Sequence, residues 1–247
     1  LPPLSALTPT EAPAKGKEME IGGLAVYYVS GASNDERSII VASDIWGFRS
    51  GRHRQVCDIL AAALKCSVIM PDLFHGDPCT PDRGPGTPGL APWAKQWPPK
   101  RVMEDMDALL AALPRCRRVG MVGFCWGTFP AVLASASGRV HAVAMVHPSH
   151  RKVIEVILGL GVELADARVA GGTAATMVLT AGPDDARCKP GGDDERLLGQ
   201  AGVPTRFEEF ADMPHGWVMR GDIADAAVAS AVQRAVGLIT SWLAEHL

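Results

Sequence analysis

The chain has 247 residues, 47% hydrophobic and 21% charged, a balance that can bury one sizeable core within a single domain. A formal net charge of −3, with no long run of Lys and Arg, excludes the electrostatic footprint of a DNA, RNA or anionic-membrane binder. The six cysteines (Cys57, Cys66, Cys79, Cys116, Cys125, Cys188) form no CxxC pair and lack the tight spacing of secreted disulfide scaffolds, so the sequence points to a reducing compartment, cytoplasmic or the reducing interior of an organelle.

Residues 1–18 are rich in Pro, Ala and polar side chains and read as an extended N-terminal arm. Leu1–Lys17 carries no hydrophobic signal core, and the missing initiating Met leaves room for a targeting segment that has been removed. From residue 19 to 247, β-rich runs alternate with helical patterns. Strands are expected at Leu24–Val29, Ser38–Ala42, Ser67–Met70, Val119–Phe124, Val140–Val146, Thr176–Thr180 and Thr205–Glu209. Helices are expected at Arg52–Lys65, Arg101–Leu113, Thr128–Ser135, part of Asp185–Leu198, and Ile223–His246. Apolar strands alternating with helices predict an α/β fold, a mostly parallel sheet with helices on both faces, in one domain. The last helix is interrupted by Gln233, Arg234, Ser241 and Glu245 and reads as amphipathic or buried, not as a membrane span.

The segment Pro78–Lys100, crowded with Pro and Gly and carrying Trp93 and Trp97, is expected to be a long surface loop or cover. Its Gly84-Pro-Gly86-Thr-Pro-Gly89 fits GxGxxG formally. Without a preceding strand and a following helix, that pattern does not describe a dinucleotide cradle.

The strongest chemical signal is Val119-Gly-Met-Val-Gly123-Phe-Cys125-Trp-Gly127, a β-run ending in Gly-x-Cys-x-Gly with a helical pattern directly behind it. This is a nucleophile elbow with a thiol in place of the usual serine hydroxyl. Buried cysteines usually only fill space. Here the order of strand, turn and helix instead presents Cys125 at a helix N-terminus, which favours a thiolate. A thiol nucleophile needs a base, and the base needs an acid to fix its tautomer. His215, in Met213-Pro-His215-Gly-Trp between the last strand and the last helix, is best placed among the histidines downstream. One of Asp184 and Asp185, in the turn after Thr180, then receives its hydrogen bond. His147-Pro-Ser-His150 offers no third metal ligand by spacing, so His147 is expected to line or support the pocket. Neither a metal nor an organic cofactor is expected.

With these residues in place the chain resembles the dienelactone hydrolase family, whose members have the α/β-hydrolase fold. The resemblance rests on Ser43-Asp-Ile-Trp-Gly-Phe48, Pro71-Asp-Leu-Phe-His-Gly-Asp77, Gly123-Phe-Cys-Trp-Gly127, His147-Pro-Ser149, Gly182-Pro-Asp-Asp185 and His215-Gly-Trp-Val-Met-Arg220. It implies Cys125 as nucleophile, His215 as base and Asp185 as acid, with Asp184 kept as rival because the loop before Pro190 is longer by one residue. It also implies an acid at Asp44 that restrains the thiol, and oxyanion-hole N–H groups from Ile45 and Trp126. Arg220, with Trp46 and His147, is implied on the substrate side, and Arg83 is the nearest candidate for a second substrate-binding arginine. Thr128 stands where the family has another glycine. The implied activity is hydrolysis of a lactone or activated ester, a small-molecule substrate, through an acyl-thioester, by a monomer or small homo-oligomer without nucleic-acid or membrane partners. The alternative is a non-catalytic binding scaffold of the same fold.

Overall fold

The computed structural model describes residues 14–31, 36–113 and 118–247. Most of the expected arm, residues 1–13, and Cys116 lie outside these. Among the described residues the strands are β1 (Lys17–Ile21), β2 (Leu24–Val29), β3 (Arg37–Ala42), β4 (Ser67–Pro71), β5 (Arg118–Phe124), β6 (Ala142–Val146), β7 (Ala175–Ala181) and β8 (Thr205–Phe210). The helices are α1 (His53–Leu64), α2 (Leu90–Ala94), α3 (Pro99–Ala111), α4 (Thr128–Ala136), α5 (Val162–Ala170), α6 (Asp193–Gln200), α7 (Trp217–Arg220) and α8 (Ala226–His246).

One sheet runs in the order β1-β2-β4-β3-β5-β6-β7-β8, antiparallel in the first two pairings and parallel from β4 onward. The period-2 alternation of buried strands sorts side chains into two cores. Ile40, Met121, Val143 and Val178 meet α3, α4 and α5 through Met106, Leu109, Val132 and Val169. Ile39, Val41, Val122, Ala144 and Leu179 meet α1 and α8 through Leu60, Ala235, Ile239 and Leu243. By length and apolarity α8 could cross a membrane, but its Ala235–Ile239–Leu243 face is packed in this second core.

The register brings the site loops to one edge. Ala42 of β3 lies opposite Gly123 of β5, Phe124 opposite Val146 of β6, and Ala181 of β7 opposite Phe210 of β8. The loops starting at Ser43, Cys125, His147, Gly182 and Ala211 therefore all leave the sheet on the same side. After β3 the chain crosses to the α1 face, and after β5 to the α4 face. Loops diverging in this way from adjacent parallel strands leave a crevice between them, the usual ligand position of an open α/β sheet.

Several elements differ from expectation. Lys17 and Glu18, assigned to the arm, belong to β1, a short and largely exposed edge strand (Lys-Glu-Met-Glu-Ile). The expected cover, Pro78–Lys100, contains α2, and its Trp93 and Trp97 are buried against Phe74 with ring centroids 5.0 and 5.6 Å away. The GxGxxG stretch leads only into this five-residue helix. A π-helix at Lys152–Ile157, α5 and α7 were not expected. Helix α8 starts later than Ile223 because Asp225 caps it, its carboxylate accepting the N–H groups of Ala227 and Val228.

Candidate active site

Cys125 stands at the tip of β5 with φ +53°, a left-handed conformation costly for a residue with a Cβ. The surrounding glycines make that turn feasible. A Cβ on Gly123 would lie 2.3 Å from the Gly127 carbonyl oxygen, and one on Gly127 would lie 2.2 Å from the Ala42 oxygen. A short 3₁₀ turn, Cys125–Gly127, then runs into α4.

Thr128, a departure from the family pattern, ties this turn down. Its hydroxyl donates to the Cys125 carbonyl (2.6 Å) and accepts the backbone N–H groups of Ser149 (3.0 Å) and His150 (3.1 Å). One donor and two lone pairs are thus all used. The result clamps the elbow to the loop after β6, and Ser149 Oγ comes to 3.5 Å from Cys125 Sγ. The sequence alone gives Ser149 no role beyond its place in the His147-Pro-Ser149 motif.

Cys125 is half-buried. Burial pushes its thiol pKa up, but the charge of His215 and hydrogen bonds from His215, Ser149 and the Trp126 N–H outweigh it, and the pKa falls below the usual thiol value. His215 shows the complement. Burial depresses it, but the Cys125 thiolate and Asp184 together raise it to about 10. Thiolate and imidazolium hold each other in the charged form.

The acid beside His215 is Asp184, not the expected Asp185. Asp184 Oδ1 accepts His215 Nδ1–H at 2.6 Å, and its Oδ2 accepts the Ala181 N–H at 2.6 Å. The turn explains the register. The Asp184 N–H bonds back to the Ala181 carbonyl (3.2 Å), folding the side chain beneath the strand end. Gly182 is needed there, since a Cβ would lie 2.2 Å from the Ala211 oxygen. Asp185 points the other way, capping the next turn at the Arg187 N–H (3.0 Å) and pairing with the Arg187 guanidinium (2.6 Å), which keeps its carboxyl below the usual range.

The other expected site residues are placed as follows. Among the described residues, no hydrogen bond joins Asp44 to the Cys125 thiol. Asp44 is fully buried, ion-paired to Arg220, and accepts the Trp46 N–H at 3.0 Å. The largest influences on the Cys125 pKa are burial, His215, Ser149 and the Trp126 N–H. Arg220, expected on the substrate side, lines the cavity while its guanidinium pairs with Asp44. Burial lowers Arg220 to about 9, leaving it charged at neutral pH. The neighbouring His53 donates from Nδ1 to the Ser50 carbonyl and accepts the Asp44 N–H at Nε2, a neutral tautomer, and burial holds its pKa at about 4. Arg83 is likewise held by Asp77 through two hydrogen bonds of 3.1 and 2.6 Å.

His147, expected to line or support the pocket, lies behind its wall, packed against the lining residues His215 and Trp217. It is buried, at φ +40°, with its ring against His215 (5.1 Å), Trp217 (5.3 Å) and Phe124 (5.9 Å). Burial, reinforced by the charge of His215, drives its pKa well below the usual imidazole range, so it packs as a neutral ring. Ile45, Trp46 and Trp126 do line a cavity of about 880 Å³ together with Cys125, Asp184, His215 and Arg220.

A second buried His/Cys/Asp group, His150, Cys188 and Asp194, has ligand atoms within 4.8 Å of one another. Arg151 already neutralises Asp194 (2.6 Å), and burial pushes the Cys188 thiol far up, so the group offers a protonated thiol beside a fixed cation. A divalent ion fits that set poorly, because it needs a thiolate and would meet the guanidinium.

Comparison with known proteins agrees with this picture. The sequence pattern of the dienelactone hydrolase family matches residues 24–247. A maize protein named Endo-1,3;1,4-beta-D-glucanase is 33% identical over 128 residues, 51% of this chain but only 40% of the maize protein. A protein named Hydrolase pyvD from Aspergillus violaceofuscus is 25% identical over 247 residues, covering 96% of this chain and 93% of the fungal one. Among solved structures, a Klebsiella pneumoniae protein described as a candidate dienelactone hydrolase superposes with a TM-score of 0.69 at 18% identity, over 93% of this chain and 98% of that one. The dienelactone hydrolase of Anabaena variabilis superposes with a TM-score of 0.58 at 16% identity, over 94% and 97%. At those identities the superpositions show the shared fold. The elbow, its cavity and the family match over residues 24–247 lead to one conclusion: this chain belongs to the dienelactone hydrolase family of hydrolases.

Proposed function

We propose that the protein hydrolyses a carboxylic ester or lactone with Cys125 as nucleophile, His215 as base and Asp184 as the acid that orients it. The observation carrying this reading is His215, hydrogen-bonded to Asp184, on one cavity wall with Cys125 at a strained glycine-flanked elbow. The Cys125 thiolate attacks the carbonyl carbon, forming a C–S bond while the carbonyl electrons move onto oxygen. The backbone N–H groups of Ile45 and Trp126, which flank Cys125 on the cavity wall, stabilise that oxyanion. The oxyanion collapses, the C–O bond breaks, and His215 Nε2–H protonates the leaving alkoxide. Water then gives a proton to Nε2 as its oxygen attacks the thioester, and C–S cleavage returns the thiolate and releases the acid.

Asp44 and Arg220 serve this site as a buried ion pair that braces the loop after β3, not as a restraint on the thiol. A free thiol nucleophile suits a reducing, cytoplasmic setting. Glycosidic cleavage, suggested by the maize relative's name, requires two carboxylates across the scissile bond. Of the acids lining the cavity, Asp184 is held by His215, Glu155 and Asp185 by Arg187, and Asp222 accepts the Ala224 N–H, which disfavours that chemistry. The test is turnover of p-nitrophenyl esters by Cys125→Ala and His215→Ala. Each is expected to lose about a thousandfold or more in kcat, because nucleophile and base act as a unit. Wild-type turnover in either variant would refute the triad, whereas no turnover by the unmutated protein would leave the scaffold reading.

A further inference from the structure

The geometry points to Ser149 as a further catalytic residue: its hydroxyl donates a hydrogen bond to the Cys125 sulfur as the C–S bond of the acyl-enzyme breaks and the electron pair returns to Sγ. This rests on the reading of Cys125 as the acyl carrier, and it adds the group that receives the thiolate as it leaves. Three arguments carry it.

The first is position. Ser149 Oγ lies 3.5 Å from Cys125 Sγ, and both residues line the cavity. The contact is not incidental, because one hydroxyl holds both partners. Thr128 Oγ1–H donates to the Cys125 carbonyl, and Thr128 Oγ1 accepts the Ser149 N–H. On its other side the Ser149 carbonyl accepts the Val153 N–H at 2.9 Å, where the chain enters the π-helix. With the backbone pinned at both ends of the residue, rotation about χ1 is what aims the hydroxyl between the sulfur and the cavity.

The second is the division of donors around the sulfur. Those that weigh most on Cys125 are His215, Ser149 and the Trp126 N–H. Deacylation commits two of the three elsewhere. His215 Nε2 takes the proton of the attacking water, and the Trp126 N–H serves the oxyanion. Of these three donors, Ser149 alone is left facing the departing sulfur.

The third is where charge develops. A thioester sulfur is neutral and a weak acceptor, whereas a thiolate is an anion and a strong one. A donor beside it therefore gains most as the C–S bond breaks, an interaction stronger in the transition state than in the acyl-enzyme, and such an interaction accelerates that step. In the attack half the order is reversed. The hydrogen bond already exists in the resting thiolate and weakens as sulfur bonds to carbon, so it gives acylation no acceleration. The Ser149 hydroxyl keeps its proton throughout. Cleavage leaves the free carboxylic acid, the Cys125 thiolate, the His215 imidazolium carrying the water's proton, and a neutral Ser149.

The test separates the two half-reactions in the full chain, with p-nitrophenyl hexanoate at a mildly alkaline pH where Cys125 is ionised. Acylation is the stopped-flow burst of p-nitrophenol. Deacylation is the decay of the hexanoyl adduct on the Cys125 peptide after rapid desalting, followed by acid quenching and mass spectrometry. Ser149→Ala is expected to slow adduct decay by about tenfold or more, the scale of a hydrogen bond to a charged group, while acylation stays within about threefold. Ser149→Thr keeps the hydroxyl and should restore most of the loss, with circular dichroism confirming the fold of both variants. Adduct decay equal in the unmutated protein and Ser149→Ala, equal slowing of both half-reactions, or a threonine variant as slow as the alanine one would overturn the inference. The unmutated protein checks the underlying reading separately. With no adduct on Cys125 the triad falls and this inference with it, whereas a normal adduct whose decay ignores Ser149→Ala leaves the triad standing and removes Ser149 from it.

Discussion

Replacing Asp184 by Asn exchanges one carboxylate oxygen for an NH₂ group, and the two hydrogen bonds at that carboxylate set the consequence. Both neighbours of Asp184 are donors, the Ala181 backbone N–H on Oδ2 and His215 Nδ1–H on Oδ1, each at 2.6 Å. An amide has one acceptor oxygen, so it can serve only one of them. The Ala181 N–H is fixed at the end of β7 and cannot reverse its role, whereas an imidazole can change tautomer. The amide oxygen is therefore expected to keep Ala181 and to turn its NH₂ toward His215. Nδ1 must then accept, which puts the proton on Nε2, facing Cys125 as a donor with no capacity to take a proton. An enzyme whose base is locked in the wrong tautomer loses about 10⁴ in kcat, close to 5.5 kcal/mol of transition-state stabilisation. Asp185→Asn removes only the surface pairing with Arg187 and leaves His215 untouched, so its effect should stay within about threefold, the scale of an exposed ion pair. The assay is steady-state hydrolysis of p-nitrophenyl hexanoate, with circular dichroism to confirm folding of both variants. If Asp185→Asn were the crippling change and Asp184→Asn the mild one, the assignment of the acid and the tautomer argument would both fall.

The same site carries two further expected outcomes. Asp44→Asn strands the buried Arg220 guanidinium, so it should lower unfolding free energy by about 3–5 kcal/mol in urea titration while Cys125 alkylation stays within about twofold; faster alkylation at unchanged stability would show that Asp44 restrains the thiol after all. Because the Cys125 pKa is lowered chiefly against burial by His215, iodoacetamide labelling of Cys125 should persist as pH falls below the ordinary thiol range, whereas in His215→Ala burial alone remains and the rate should rise only above about pH 9. Superimposable pH profiles would mean the two side chains do not form an ion pair.

How much of this was legible in the sequence depends on how local each signal is. The parallel core strands and Gly123-Phe-Cys125-Trp-Gly127 were readable, because buried strands need apolar runs and the elbow needs glycines that a Cβ would force into backbone at 2.3 and 2.2 Å. His215 followed from its place after β8. The choice between Asp184 and Asp185 was not legible, since it depends on how a four-residue turn closes on Ala181. The partner of Asp44 was equally hidden, because Arg220 lies far along the chain and reaches it only through the packing of α7 beneath the loop after β3. Edge strand β1 is only five residues long and mostly exposed, and the π-helix at Lys152–Ile157 departs from the 3.6-residue period on which sequence reading depends. Thr128 looked like a departure from pattern and turns out to hold the elbow to the Ser149–His150 backbone.

The claim that Cys125 carries the acyl group is tested most directly by rapid quenching of wild-type enzyme in acid during turnover of p-nitrophenyl hexanoate, with peptide mass spectrometry of the quenched protein. The account predicts a hexanoyl adduct on the peptide containing Cys125 that appears with the p-nitrophenol burst and decays as substrate is exhausted. Sustained hydrolysis with no adduct on Cys125, or with the adduct on Ser149 at 3.5 Å from its sulfur, would contradict it.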